Sequence, residues 1–323
     1  MTRAGSRWCN ARWTKRARRP PDPMRDALRR RIRREIANLF GSGNEPVDLD
    51  TPAGDPGLFG PSSMAWRVHA DLGPMMVGGI AALLLQMLHP AALAGVWDHS
   101  HFRKDRTGRL RRTAQFIAGT TYGGTAEAER LMAKVRAVHT HVRGTMPDGT
   151  AYRADDSDLL LWVHVAESWC LLEAYRRYRA PLLTRTQADR YHGEVAMIAD
   201  RLGSAPAPST HDGARLYLES MRPQLRYDLR TREVADALLT RRPGDLAAPL
   251  SRIVVDAAVD ILPRWAAHMH GFYLGPRRHI ARAGMSGMGV LLHWTLDDSS
   301  AAHAQRRVAR RPLHPIAKKT PPE

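Results

Sequence analysis

Along this chain, hydrophobic residues recur at three- and four-residue intervals and rarely alternate with polar ones, the pattern of helices packed through one face. The turn and cap residues divide the pattern into segments. Thr107-Gly108 precedes a helix over about Arg109 to Thr121, which Gly123-Gly124 ends. Thr125 is a cap for the next helix, predicted to run to Arg143 and stop at Gly144, before a turn at Pro147-Asp148-Gly149. Asp155, Asp156 or Ser157 caps a long helix over Leu159 to Arg179, and Thr184 or Thr186 opens another that Gly203 closes. Two more apolar helices are expected over Leu250 to His270, kinked at Pro263, and His279 to Leu296. No alternating run is long enough to predict a sheet, so the expected fold class is all-α, with a single helical domain over about residues 50 to 300.

The run from Leu72 to Trp97 contains no Asp, Glu, Lys or Arg. It exceeds the roughly 20 residues that a membrane-spanning helix needs. Pro74 and Pro90 interrupt helical hydrogen bonding, four glycines weaken it, and Gln86 and His89 put polar groups near its middle. These features favour a buried helix over a span. An imidazole in such surroundings needs a partner, so His89 is either a cap for the helix broken at Pro90 or a group that takes part in chemistry.

Composition limits the remaining options. A hydrophobic content of 43% over 323 residues supports a sizeable core. The two cysteines, Cys9 and Cys170, form neither a disulfide framework nor a Cys-rich metal site, which fits a reducing, cytoplasmic compartment. A formal net charge of +17 invites a nucleic-acid reading, but much of the excess lies near the ends, in Arg29-Arg30-Arg31 and Lys318-Lys319 among others. No binding motif accompanies it, so no specific nucleic acid is expected. Residues 1–45 read as a basic, disordered leader and 301–323 as a basic, disordered tail, both suited to peripheral contact with acidic lipid head groups.

Three His-x-His pairs stand out: His99/His101, His139/His141 and His268/His270. Residues two apart on a helix point about 200° apart, so only one member of a helical pair faces inward. Leu131, Met132, Val135, Val138 and Val142 make an apolar stripe that includes His139 and excludes His141. On the preceding helix Arg109 and Thr113 share a face, as do Arg112 and Phe116. An inward histidine near an inward arginine and hydroxyl suits a macrocycle held by its metal at the histidine and by its carboxylates at the arginine. A loop alternative is a non-haem metal on Asp98, His99 and His101.

Several ordered blocks carry a resemblance to a known family. They include Gly57-Leu58-Phe59-Gly60-Pro61 with Trp66-Arg67-Val68, Leu84 through His89-Pro90, and His99-Ser100 with Phe102. They continue with Gly108-Arg109-Leu110-Arg111-Arg112-Thr113, Val135-Arg136 with His139, and Leu160-Leu161-Trp162-Val163-His164. Over residues 55 to 220 the chain resembles the rubber oxygenase/MpaB-type oxygenase catalytic domain family. The resemblance implies a globin-like helical core and haem b, with iron on His139 and cofactor contacts from Arg109, Thr113 and the Arg112 position. It also implies O₂-dependent cleavage of a carbon–carbon double bond in a small hydrophobic, isoprenoid-type substrate.

Rubber-cleaving members can carry a lysine just before the matched threonine. Arg112 stands there instead, and a guanidinium that stays protonated is a poor iron ligand. No acidic residue lies between Leu83 and Trp97. The resemblance therefore points to the MpaB-like bacterial branch, with His89 or His164 as the residues able to donate a hydrogen bond during catalysis. The competing reading is a non-catalytic helical protein that binds a hydrophobic ligand or a membrane surface.

Overall fold

The computed structural model describes Ala27 and residues 47–102, 105–239, 248–295 and 299–310; side chains at 106–107, 248–250 and 290–295 are not described. The predicted leader and the end of the tail lie outside these residues. Helices make up 69% of the structure, and the only sheet among the described residues is a two-stranded hairpin, so the fold is all-α.

The uncharged run forms two helices, α2 (Leu72–Gln86) and α3 (Pro90–His99), after a short α1 (Met64–His69). Pro90 sits where a missing N–H costs nothing, at the first turn of α3, and the two axes meet at 105°. No single helix among the described residues is long and apolar enough to cross a membrane, although the bent pair has the length and composition together. Leu84, Leu85 and Val77 are fully buried, and no charged side chain on α2 has to be satisfied.

Next come α4 (Arg106–Tyr122), α5 (Thr125–His139), strands β1 (Arg143–Thr145) and β2 (Ala151–Arg153), and α6 (Ser157–Tyr178). Helix α6 is the main partner of α2. Gly78 permits their close approach: a Cβ there would lie 2.8 Å from Leu171 Cα and 3.0 Å from the Cys170 carbonyl oxygen. Polar groups on this interface are paired. Gln86 Nε2 donates to the Val163 carbonyl at 3.0 Å, and Trp162 Nε1 to the Gln86 carbonyl at 3.3 Å.

Helices α4 and α5 form an antiparallel pair joined at Gly123-Gly124, with Gly119 against Leu131. Thr125 is not the cap of α5; that position is Gly124, and Asp55 accepts from the Thr125 N–H at 2.7 Å. Helix α5 ends at His139, four residues earlier than its periodicity predicts, because the chain turns there into the hairpin. Gly144 pairs with Tyr152, and each strand is too short for alternation to register in sequence.

The rest of the chain comprises α7 (Arg185–Leu202), α8 (His211–Ser220), α9 (Leu229–Leu239), α10 (Ala248–Ile261), α11 (Arg264–Met269), α12 (Arg277–Thr295) and α13 (Ser300–Ala309). Thr184 forms a capping box with Gln187, and Gly203 closes α7 at φ 89°. Pro263 separates α10 from α11 rather than kinking one helix. The sequence reading ended the domain near residue 300 and treated 301–323 as a tail. In the structure α13 packs against α4, and Arg307 is fully buried. Its basic composition hid this, because the Arg307 guanidinium donates to backbone carbonyls, with Asp55, Asp48 and Asp50 acting on it without a direct ion pair among the described residues.

Candidate functional site

The first turn of α4 begins at Asp105, whose carboxylate accepts from the Gly108 N–H at 2.8 Å. That cap fixes the helix phase and turns Arg109 inward. Arg109 lines a narrow cavity of about 10 Å³, room for roughly one water, together with Leu83, Met87, Val96, Phe102, Val234, Ala237 and Leu238, from α2, α3, the loop before α4, and α9. Every lining residue but Arg109 is apolar.

Arg109 has no ion-pair partner among the described residues, and its buried Nε has no hydrogen bond. Burial, the neighbouring cation of Arg112 and an opposing pull from Glu167 leave its pKa lowered to about 10. A guanidinium desolvated without an anion is unfavourable by several kcal/mol, on the order of magnitude expected for an unpaired buried charge. Such a group is kept where a ligand supplies the missing charge.

His139 stands at the last residue of α5, opposite the start of α4. It is half-buried and His141 is exposed, as the helical-face argument predicted. Burial, then repulsion from Arg109, holds the His139 imidazole below its usual pKa, with Asp155 opposing. The ring is thus neutral at neutral pH, the form that ligates a metal. Val138, assigned to the same stripe, is instead 55% exposed, because nothing among the described residues covers that face at the helix end. Thr113, one turn after Arg109, is half-buried. Arg112 lies on the outer side of α4 and is mostly exposed, 4.0 Å from Asp105.

On α6, His164 and Glu167 are one turn apart and both lie deep in the protein. Burial pushes His164 down to about 4. It pushes Glu167 up to about 7, with Arg109 opposing. Neither side chain hydrogen-bonds a described residue, and each keeps some accessible surface. From sequence, Glu167 is expected either to pair with a nearby Arg or to act as an acid/base group; Arg109 is the arginine whose charge it feels. The α9 wall was missed, although Val234, Ala237 and Leu238 have helical one-face spacing.

His89 occupies the N-cap position of α3 but makes no cap bond. Its Nδ1 is buried without a partner, and its ring lies 5.9 Å from Trp162. The other histidine pairs disperse. His99 is 3.2 Å from the Arg143 carbonyl, Asp98 accepts from the Tyr152 hydroxyl at 2.6 Å, and His101 is exposed. His270 donates to the Leu84 carbonyl and His268 is exposed. Among the described residues, no group of three or more His, Cys, Asp or Glu could hold a metal ion, which removes the Asp98/His99/His101 alternative.

The fold and the site define a helical protein with a narrow apolar cavity at which Arg109 stands, and with the His139 imidazole within the electrostatic reach of that arginine. Over residues 66–294 the chain matches the model of the family described as ER-bound oxygenase mpaB/B'/Rubber oxygenase, catalytic domain, and it belongs to that family. At that level it is an oxygenase-type domain, an oxidoreductase. No curated protein and no solved structure matches it.

Proposed function

We propose that this chain is a haem-dependent oxygenase that cleaves a carbon–carbon double bond of a small hydrophobic, isoprenoid-type substrate with O₂, giving carbonyl products. The observation that carries the proposal is Arg109, whose buried Nε has no hydrogen bond among the described residues, beside the imidazole of His139 and an apolar cavity.

The donor set has the chemistry that haem b needs, but the cavity of about 10 Å³ at Arg109 holds no macrocycle as it stands, so haem binding would require its walls to part. Arg109 would hold a haem carboxylate and His139 the iron, with Thr113 on the Arg109 face. Haem would supply the iron that binds and activates O₂. The chain's own contribution is to keep His139 deprotonated, to neutralise a carboxylate out of water, and to line the space beside it with side chains that favour an alkene over water. His164 and Glu167 lie one turn apart on α6, whereas His89 lies against Trp162. Exposed and paired with Asp105, Arg112 is set apart from this arrangement. We place the protein in the cytoplasm, with its basic terminal segments as contacts to anionic lipid.

The all-apolar wall also favours a second reading, a non-catalytic carrier of a hydrophobic carboxylate. An absorption spectrum of the full chain, made with ample haem, separates the two. The oxygenase reading expects a Soret band that His139→Ala removes and His141→Ala retains. A colourless, iron-free protein would falsify it.

A further inference from the structure

An open cleft of about 810 Å³ lies between the end of α8, the 3-10 turn Arg222–Gln224 that follows it, and α11. That volume is in the range of small-molecule sites, whereas the space at Arg109 has room for roughly one water. Two proline breaks shape the cleft: Pro223 stands in the turn after α8, and Pro263 stands directly before α11. Both walls are anchored, because Met221, Leu225 and Ala266 are buried in the main core.

Glu219 ties the two walls together. Its Oε1 accepts from Trp265 Nε1 at 3.1 Å and its Oε2 from Arg222 Nη1 at 3.1 Å, and the Arg222 guanidinium lies 5.7 Å from the centre of the Trp265 ring. The Glu219 charge is therefore answered by Arg222. Arg264 and His268 are left over. They stand one turn apart on α11, line the cleft, are exposed, and have no side-chain hydrogen bond or ion pair among the described residues. Beside them, Trp265, Met269 and Pro223 give the cleft an apolar surface. Leu216, three residues before Glu219 on α8 and 58% exposed, continues that surface.

We infer that this cleft binds a phosphate monoester that carries an apolar group, with the phosphate on Arg264 and His268 and the apolar part over Trp265 and Met269. One guanidinium satisfies both oxygens of a carboxylate, whereas two free donor groups one turn apart match an anion with three terminal oxygens. An aromatic ring and a thioether next to those donors suit a ligand in which charge and hydrocarbon are joined. Arg222 and Arg264 against Glu219 leave the cleft positively charged, in keeping with the net charge of +17 on the whole chain. The inference stands apart from the haem reading, since this cleft and the cavity at Arg109 share no lining residue.

The test is calorimetric titration of the full chain with octyl phosphate, octanol and inorganic phosphate, beside co-sedimentation with phosphatidylcholine vesicles made with and without phosphatidic acid. Octyl phosphate should bind, and the double variant Arg264→Gln/His268→Gln should weaken it about tenfold or more, while Arg232→Gln on α9 leaves it unchanged. Both replaced side chains are exposed, so the far-UV circular dichroism of the double variant should match the wild type. A bilayer lipid and a free amphiphile offer the same head group, and the vesicles separate them. Vesicle binding that needs phosphatidic acid and falls in the double variant would support the inference with a bilayer lipid as the source. Vesicle binding equal in wild type and variant, alongside variant-sensitive octyl phosphate, would support it with a free amphiphile. Failure of both octyl phosphate and phosphatidic acid to bind, or binding of both that the double variant leaves unchanged, would overturn it. Inorganic phosphate or octanol binding as tightly as octyl phosphate would overturn it as well, because only one half of the ligand would then be recognised.

Discussion

Arg307 Nη1 donates to the Tyr122 carbonyl at 2.6 Å, so a side chain from α13 completes the end of α4. The same guanidinium donates to the carbonyls of Leu49 and Asp55 at 2.7 and 3.0 Å. Residue 307 lies beyond the family match, yet it holds the loop before α1 and the α4–α5 turn in one place. Replacing it with an apolar side chain of similar length leaves several buried acceptors unpaired. Arg307→Met should therefore destabilise the protein by roughly 3 kcal/mol, seen as a lower urea midpoint. An unchanged midpoint would show that water satisfies those carbonyls.

Gly78 sets the spacing of α2 and α6. A β-branched side chain there meets backbone atoms of Leu171 and Cys170, which cannot rotate away. Gly78→Val should lower stability by about 2 kcal/mol or more, against little change for Gly79→Ala, whose Cβ meets nothing within 4 Å. Thermal denaturation of the two variants side by side checks this.

Three buried histidines bias the protein against acid. Burial holds His69, His164 and His192 at about 3, 4 and 3, below the ordinary value of 6.5. The unfolded chain therefore binds protons first, and their contribution to stability is full above pH 6.5 and lost as pH falls toward 4. Each loses about 1.4 kcal/mol per pH unit in that window. Unfolding near pH 4 to 5 is expected, read by far-UV circular dichroism. His69→Gln, which keeps polar ends toward Thr121 and Tyr191, should make the decline shallower; an identical slope would show that His69 is charged when folded.

His139 and His141 form an internal control for the cofactor site. Both sit near the end of α5, but one is half-buried and the other exposed and bonded to the Ala137 carbonyl at 2.8 Å. Loss of haem is expected on His139→Ala alone, and Arg109→Met should weaken haem at least tenfold without changing the band position. Band position reports the iron ligand, whereas retention reports the carboxylate partner, so the two variants should separate those roles.

Much of this was legible in sequence because local rules fixed it. Asp156 and Gly203 mark helix ends through their own hydrogen bonds and backbone angles, and His139 was separable from His141 by helical phase. What could not be read depends on distant residues. The cap of α5 is affected by Asp55, 70 positions away. The β1–β2 hairpin is three residues per strand and carries too little pattern. Helix α13 looks like a basic tail until Arg307 meets carbonyls some 185 residues earlier. That Glu167 either meets an Arg or acts as an acid/base group is legible on its helix; which arginine is near is not, because that depends on how α4 packs.

The apolar wall and the unpaired guanidinium make different demands on what enters. A hydrocarbon satisfies the wall and does nothing for Arg109, whereas an amphipathic carboxylate relieves the charge first and then presents its own apolar face. On the proposed reading, the anionic guest would be the one to open this narrow space, and a neutral chain would lie there only after it.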